Sequence, residues 1–192
     1  MANLKIKIII GSTREGRFGE KPARWMLDKI QKRKEIDAEP LDLRDYPMPF
    51  FNEAKTPTAK KEPYGDEAVK RWTEKIAEAD GFIVVAPEYN HGYPAVLKNA
   101  LDYVYTEWNK KPVGFVSYGG AGGVRSVEQL RQVAVELDMV PLRTAIHIFS
   151  FWELLDEKGN LKENAFALFE GKANKLVDEL LWFGALLRNG RM

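Results

Sequence analysis

At 192 residues, with a formal net charge of +1 and no cysteine, the chain is long enough to bury a core without covalent staples. It carries no charge excess calling for a polyanionic partner or an anionic membrane surface, and lacking thiols it has no disulfide, thiolate zinc site, iron–sulfur cluster or cysteine nucleophile. No apolar run approaches the ~20 residues of a membrane span, and Lys5 and Lys7 interrupt the one N-terminal apolar stretch, so no signal peptide is expected and the expected location is the cytoplasm.

The segment LKIKIII, Leu4–Ile10, reads as the first strand. Ala23, Met26, Leu27 and Ile30 follow at helical spacing, with Pro22 tolerated in the first turn. AEPLDLR, Ala38–Arg44, is a weaker and more peripheral strand. Val69, Trp72, Ile76 and Ala79 predict a second helix starting near Asp66. GFIVVA, Gly81–Ala86, is the continuous apolar run of a strand covered on both faces. Leu97, Leu101, Val104 and Trp108 predict a third helix opened by Pro94, and KPVGFVSY, Lys111–Tyr118, is the fourth strand. Val127, Leu130, Ala134 and Leu137 mark a fourth helix, and LRTAIHIF, Leu142–Phe149, the fifth strand. The last helix carries Phe166, Phe169, Ala173, Leu176, Leu180 and Leu187.

This alternation predicts an α/β fold: three layers, doubly wound around a five-stranded parallel sheet, flavodoxin-like rather than a six-stranded dinucleotide fold. Residues 1–192 are expected to form one domain. Asp45–Gly65 is a long connection with four prolines and no periodicity. Tyr46, Phe50 and Phe51 predict an ordered, packed first half, with Lys55–Pro63 looser.

Between the first strand and first helix stands GSTREGRFG, Gly11–Gly19. A strand-to-helix corner leaves backbone N–H groups without partners, and the helix dipole adds positive potential there. Ser12 and Thr13 offer hydroxyls, Arg14 and Arg17 guanidinium forks, and Gly11 and Gly16 close backbone approach. A terminal phosphate fits such a corner. GSTREGRF lacks the lysine and the metal-binding hydroxyl of a nucleoside triphosphatase loop, and G-x-G-x-x-G is absent. LDLRD supplies no persuasive ribose-binding acid. A metal-free mononucleotide site remains.

Ligands of open parallel sheets gather beyond the carboxyl ends of the strands, where strand order reverses. The third strand ends in APEYNHGYPAVLKNALDY, Ala86–Tyr103, and the fourth in SYGGAGGVRS, Ser117–Ser126. Tyr89 offers an aromatic face, Glu88, Asn90 and His91 polar groups, and the glycines a bare backbone for a flat ring. Three such corners together suit a ligand with a phosphate at one end and a planar ring at the other.

GSTREGRFGEKPA, DLRDYPMPFF, APEYNHGYPAVLKNALDY and GFVSYGGAGGVRSVEQLR occur in order, at spacing that resembles the NAD(P)H-dependent FMN reductases of flavodoxin fold. That family includes bacterial quinone, azo-dye and chromate reductases. The resemblance implies FMN as cofactor, NADPH or NADH as hydride donor, and a ping-pong transfer to a quinone, azo compound, metal oxyanion or free flavin. It places the FMN phosphate on Ser12, Arg14, Phe18 and Gly19, with Arg17 beside them. Pro87, Glu88, Tyr89 and Asn90 would line the isoalloxazine and ribityl chain, and Ser117, Tyr118, Gly119 and Gly120 the other side of the ring. Two positions depart from the family pattern: Arg17 stands where members often have a small polar residue, and HGYPAV replaces the commoner glycine-bearing turn.

Hydride transfer needs no side-chain acid or base, so no catalytic residue and no metal site is assigned. Tyr89 and Asn90 are expected to shape the nicotinamide and acceptor slot, and backbone N–H groups at Gly119–Gly120 to face the reduced ring. The resemblance also implies a homodimer or homotetramer, with Asp45–Phe51 a candidate for the subunit boundary; neither nucleic acid nor membrane is expected as partner. His147 is expected to be structural, His91 a loop residue, and Lys98, Asn99 and Asp102 a polar helix face that fixes a loop. Trp25, Trp72, Trp108, Trp152 and Trp182 are expected in packing. An electron-carrying flavodoxin or a flavin-responsive interaction protein are the rival readings, the carrier disfavoured by the near-neutral charge and the PEYN segment.

Overall fold

The computed structural model describes residues 3–59 and 64–191. Among these, the chain alternates β1 (Leu4–Ile10), α1 (Glu20–Ile30), β2 (Ile36–Asp42), α2 (Glu67–Glu78) and β3 (Gly81–Pro87). It continues through α3 (Ala95–Asp102), β4 (Pro112–Gly119), α4 (Val124–Glu136), β5 (Val140–Phe149) and α5 (Glu170–Arg191). The strands form one parallel sheet in the order β2-β1-β3-β4-β5. This is the expected doubly wound, flavodoxin-like architecture.

Period-two alternation sorts each strand's residues between two cores. Ile6, Ile8 and Ile10 of β1, with Ile83 and Val85 of β3, pack against Met26 and Ile30 of α1 and Leu176 and Leu180 of α5. Ile9, Phe82 and Val84 face the other way, onto Trp72 of α2, Leu97 of α3 and Leu130 of α4. The central strand β3 is buried throughout, which is why it reads as an unbroken apolar run. The peripheral β2 is only partly buried. Lys7 is buried too, paired with Glu39 of β2 and with Glu78 of α2 at 3.0 Å.

Element ends differ from expectation where polar groups compete for the backbone. β2 spans Ile36–Asp42 rather than Ala38–Arg44, because the Asp42 carboxylate accepts the Arg44 N–H at 2.9 Å and turns Leu43–Asp45 into a short 3-10 segment. α3 ends at Asp102, so Val104 and Trp108 lie beyond it, although both are buried. There the Tyr64 hydroxyl donates to the Tyr103 carbonyl at 2.5 Å. Phe166 and Phe169 precede α5 in a turn and a 3-10 segment. Trp72 and Trp108 are fully buried and Trp25 stacks on Phe166 at 4.8 Å, whereas Trp182 is 62% exposed and Trp152 is 53% exposed.

The first half of the long connection is packed. Tyr46, Met48 and Phe51 lie against the α2–α3 core, while Phe50 faces outward. Asn99 of α3 holds the segment by donating to the Pro49 carbonyl and accepting the Phe51 N–H, both at 2.8 Å. Lys98 pairs with Asp102 one turn on, at 2.6 Å. This is the loop-fixing role expected of that helix face. Of the Lys55–Pro63 stretch, Pro57–Ala59 forms a short 3-10 turn and residues 60–63 lie outside the described residues.

Candidate cofactor site

Strand order 2-1-3 places the carboxyl ends of β1, β3 and β4 side by side at the reversal point, the position where open α/β sheets bind ligands. The first corner leaves β1 through Gly11, whose N–H bonds to the Val85 carbonyl at 2.8 Å. A Cβ there would stand 2.9 Å from Leu97 and 3.2 Å from that carbonyl, so the close approach of loop to β3 calls for glycine. Ser12 is buried, and its hydroxyl meets the Tyr89 hydroxyl at 2.8 Å, tying the first corner to the second. Arg14–Arg17 closes a turn (N–H to carbonyl 3.2 Å) with Gly16 at φ +64°, and α1 then begins with no side-chain cap on its N-terminal N–H groups.

The two arginines of this loop have opposite fates. Arg14 is exposed, and its guanidinium makes no hydrogen bond or ion pair among the described residues. Arg17 has a side chain only 1% exposed. Its fork grips both Asp42 carboxylate oxygens, one at 2.7 Å, donates to the Ser12 carbonyl, and reaches Glu20 at 2.9 Å. Arg17, expected beside the phosphate, thus has its donors taken up inside the protein. The Phe18 ring packs on Phe151 at 4.7 Å and on Tyr118 at 5.3 Å, and its backbone faces the corner. Among the described residues the N–H groups of Thr13, Glu15, Gly16 and Phe18 meet no protein acceptor. Several free N–H donors, a free guanidinium and an uncapped helix start suit a phosphate dianion.

In the second corner, Pro87 is buried at the end of β3, and Tyr89 pairs with Gly92 through two backbone bonds of 2.8 and 3.0 Å. Asn90 and His91 between them take φ +50° and +69°. This is a primed two-residue turn in which asparagine is at ease and histidine less so. Gln129 of α4 steadies it by donating to the His91 carbonyl at 2.9 Å. The Glu88 carboxylate, 8% exposed, is paired with the Arg125 guanidinium and accepts the Arg125 N–H at 3.2 Å, so it caps α4 instead of facing a ring. Tyr89 is half-buried and Asn90 exposed, and both remain available at the rim.

The third corner turns on glycine. Gly122 and Gly123 have φ +68° and +72°, and a Cβ on Gly123 would lie 2.7 Å from Ser117 Cβ and 2.9 Å from the Tyr118 nitrogen. Ser117 is fully buried; its hydroxyl donates to the Gly122 carbonyl at 2.7 Å. Its one hydrogen being so engaged, the 2.8 Å contact with His147 Nδ1 is a bond donated by the imidazole. Ser117 thus shapes the glycine turn rather than presenting its hydroxyl to a ligand, and His147 is structural as expected. Burial, with Lys172 adding to it, lowers the His147 pKa. Burial also holds the Tyr118 phenol well above its ordinary value, and its Oη meets no partner in hydrogen-bonding geometry among the described residues. That oxygen lies against Gly19, 2.8 Å from where a Cβ would stand, at the start of α1. Gly120 is exposed, with Trp152 3.7 Å from its Cβ position.

The corners thus bring Ser12, Arg14, Gly19, Tyr89, Asn90, Tyr118, Gly119 and Gly120 to one end of the sheet. Asp42, Arg44 and Arg125 belong to the same surround and were not singled out from the sequence. Their signal, an acid and a base at the end of a weak strand and a base after a glycine run, is common to many loops.

Comparison with known proteins agrees with this fold. The family model described as NADPH-dependent FMN reductase matches residues 4–153. An NAD(P)H-dependent FMN reductase of Schizosaccharomyces pombe is 45% identical over 135 residues, 70% of this chain and 68% of that protein. An FMN-dependent NADPH-azoreductase of Staphylococcus aureus is 31% identical over 186 residues, covering 94% of this chain and 95% of its own length. In fold, the chain is similar to the flavoenzyme NAD(P)H:(acceptor) oxidoreductase FerB of Paracoccus denitrificans, with a TM-score of 0.72 at 22% identity, covering 94% of this chain and 98% of that one. The chain belongs to the NADPH-dependent FMN reductase family and is an oxidoreductase that uses FMN and a reduced nicotinamide.

Proposed function

We propose that residues 1–192 act as one unit that binds FMN at the three corners and reduces a small acceptor, a quinone, azo compound, metal oxyanion or free flavin, by a ping-pong cycle. The observation that carries this reading is the first corner: unpartnered backbone donors and the free Arg14 guanidinium at the uncapped start of α1, next to a glycine turn. When bound, FMN would supply the two-electron chemistry that links oxidation of the nicotinamide to reduction of the acceptor.

The protein's part is positioning. Ser12, Arg14 and the backbone of Phe18 and Gly19 hold the phosphate, and Arg17 acts behind them through the loop. Pro87, the backbone of Glu88, Tyr89 and Asn90 flank one side of the ring system. Tyr118, Gly119 and Gly120 flank the other, with Ser117 fixing their turn. Backbone donors at Gly119–Gly120 would stabilise negative charge on the reduced ring. Tyr89 and Asn90 shape the slot that nicotinamide and acceptor occupy in turn. The exposed aromatic rings of Phe50 and Trp152 support assembly as a homodimer or homotetramer. The cytoplasm remains the proposed location.

The test is to load the purified chain with FMN and mix it anaerobically with NADPH or NADH. The flavin band near 450 nm (roughly, for an oxidised flavin) bleaches and returns on adding a quinone or azo dye. Steady-state rates with varied donor and acceptor give parallel double-reciprocal lines. A chain that emerges colourless from gel filtration sinks the reading, and converging lines sink the ping-pong cycle alone.

A further inference from the structure

The carbonyl groups of the phosphate corner are held as deliberately as its donors are left open. Three consecutive carbonyls, those of Ser12, Thr13 and Arg14, are all captured by guanidinium groups. Arg17 Nη1 donates to the Ser12 carbonyl. Arg44, in the 3-10 segment that follows β2, donates from Nε to the Thr13 carbonyl at 3.3 Å and from Nη2 to the Arg14 carbonyl at 2.6 Å. Both forks are anchored by acids. Asp42 binds Arg17 through both oxygens and accepts the Arg44 backbone N–H at 2.9 Å, while Glu20 bridges Arg17 at 2.9 Å and Arg44 at 3.0 Å. The register Ile10↔Asp42 puts this anchor beside the residue from which the loop departs.

A trans peptide is planar, with its carbonyl and the following N–H pointing in opposite directions. Drawing the carbonyls of residues 12, 13 and 14 toward β2 therefore turns the N–H groups of residues 13, 14 and 15 away from it. The Arg14 N–H leans on Ser12 Oγ at 3.3 Å, and those of Thr13 and Glu15 meet no protein acceptor among the described residues. Successive N–H groups so aligned make an anion-binding concavity.

We infer that Arg17 and Arg44, aligned by Asp42 and Glu20, form a carbonyl clamp that presets the loop's N–H groups for the cofactor phosphate; they are positioning residues, not ligands. The inference rests on the FMN reading above and extends it to the end of β2 and the turn after it. Arg44 supplies the sharper test, because its side chain is 38% exposed and its loss leaves the buried Arg17–Asp42 pair in place.

Dissociation constants are measured by quenching of flavin fluorescence for FMN and for riboflavin, which has the ring but no phosphate. The parent binds FMN more tightly than riboflavin. In Arg44→Ala, FMN affinity falls about tenfold while riboflavin affinity changes less than about twofold, because only the phosphate uses the loop. Arg44→Lys keeps the charge but cannot span two carbonyls, and it behaves as Arg44→Ala does. If Arg44→Ala holds FMN as tightly as the parent, or Arg44→Lys fully restores binding, the clamp is refuted and any remaining effect is charge alone. A parent that binds neither flavin instead refutes the FMN site itself, a result read before any variant is made.

Discussion

Arg14 and Arg17 are three positions apart in one loop, yet one reaches solvent and the other is enclosed. Because Arg14 is free to meet a phosphate, Arg14→Ala is expected to weaken FMN binding about tenfold or more with little change in unfolding midpoint. Titration of the purified variant with FMN checks this. Removing Arg17 acts on stability as well as on the loop it holds. It strands the partly buried Asp42 carboxylate and the Ser12 carbonyl, and Arg17→Ala is expected to cost about 2–3 kcal/mol in urea unfolding, tempered by the partial exposure of Asp42. The same pair sets a pH dependence. Burial alone would raise the Asp42 pKa, but the Arg17 hydrogen bond, the Arg44 N–H and the two guanidinium charges prevail and lower it. A carboxylate lowered on folding contributes stability above its unfolded pKa and loses it as pH falls through the lower folded value. Stability owed to Asp42 is thus constant down to pH ~4 and declines below it. Asp42→Asn is expected to remove that part of the acid slope in unfolding curves recorded from neutral to acidic pH.

At the scale of elements, the corners are rigid to different degrees. Gly16 and Gly123 both have positive φ, but a Cβ on Gly16 meets nothing within 4 Å, whereas one on Gly123 strikes Ser117 and the backbone of Tyr118. Gly16→Ala is expected to cost about 1 kcal/mol, the conformational penalty alone. Gly123→Ala adds steric strain and is expected to cost about 3 kcal/mol or more, with loss of FMN binding as the turn opens. Thermal melts and flavin titration of the two variants make the comparison. The elements themselves were largely visible beforehand, because the apolar spacing of Val69, Trp72 and Ile76 or the run Gly81–Ala86 reports burial directly. Their ends were not. α3 stops at Asp102 although Val104 and Trp108 continue its spacing, and β2 stops at Asp42 because its own carboxylate captures the next N–H. Such endings depend on which polar group reaches a carbonyl or N–H first, and apolar periodicity carries no record of that.

For the whole molecule, two cores on opposite faces hold the sheet, and all the parallel strands deliver their carboxyl ends to one edge, where the strand order reverses. A ligand bound to that edge of the folded chain but not to the unfolded one stabilises it by mass action. With free FMN about a hundredfold above its dissociation constant, the gain is about 2.7 kcal/mol, an upward shift in melting temperature of about 5–10 °C for a chain of this size. Riboflavin at equal concentration is expected to give a smaller shift. Equal shifts would mean that the phosphate contributes nothing.

The sequence by itself determined the strands, the faces of the helices, the doubly wound order and the three loops at the carboxyl ends of the strands. Burial leaves a periodic trace in one dimension, and the glycine- and proline-rich corners break it visibly. Only the tertiary structure decided what each polar side chain does. Arg17 was legible as a base in a phosphate loop, but its partner Asp42 lies 25 positions away and reaches it through the pairing of β1 with β2. Glu88 finds Arg125, Ser117 finds His147 through the register of β4 with β5, and Asn99 finds Phe51 across 48 positions. Periodicity states which face a residue occupies. Which group stands opposite it is settled by register and by the packing of separate elements, and there a candidate ligand becomes either a free donor or part of the frame.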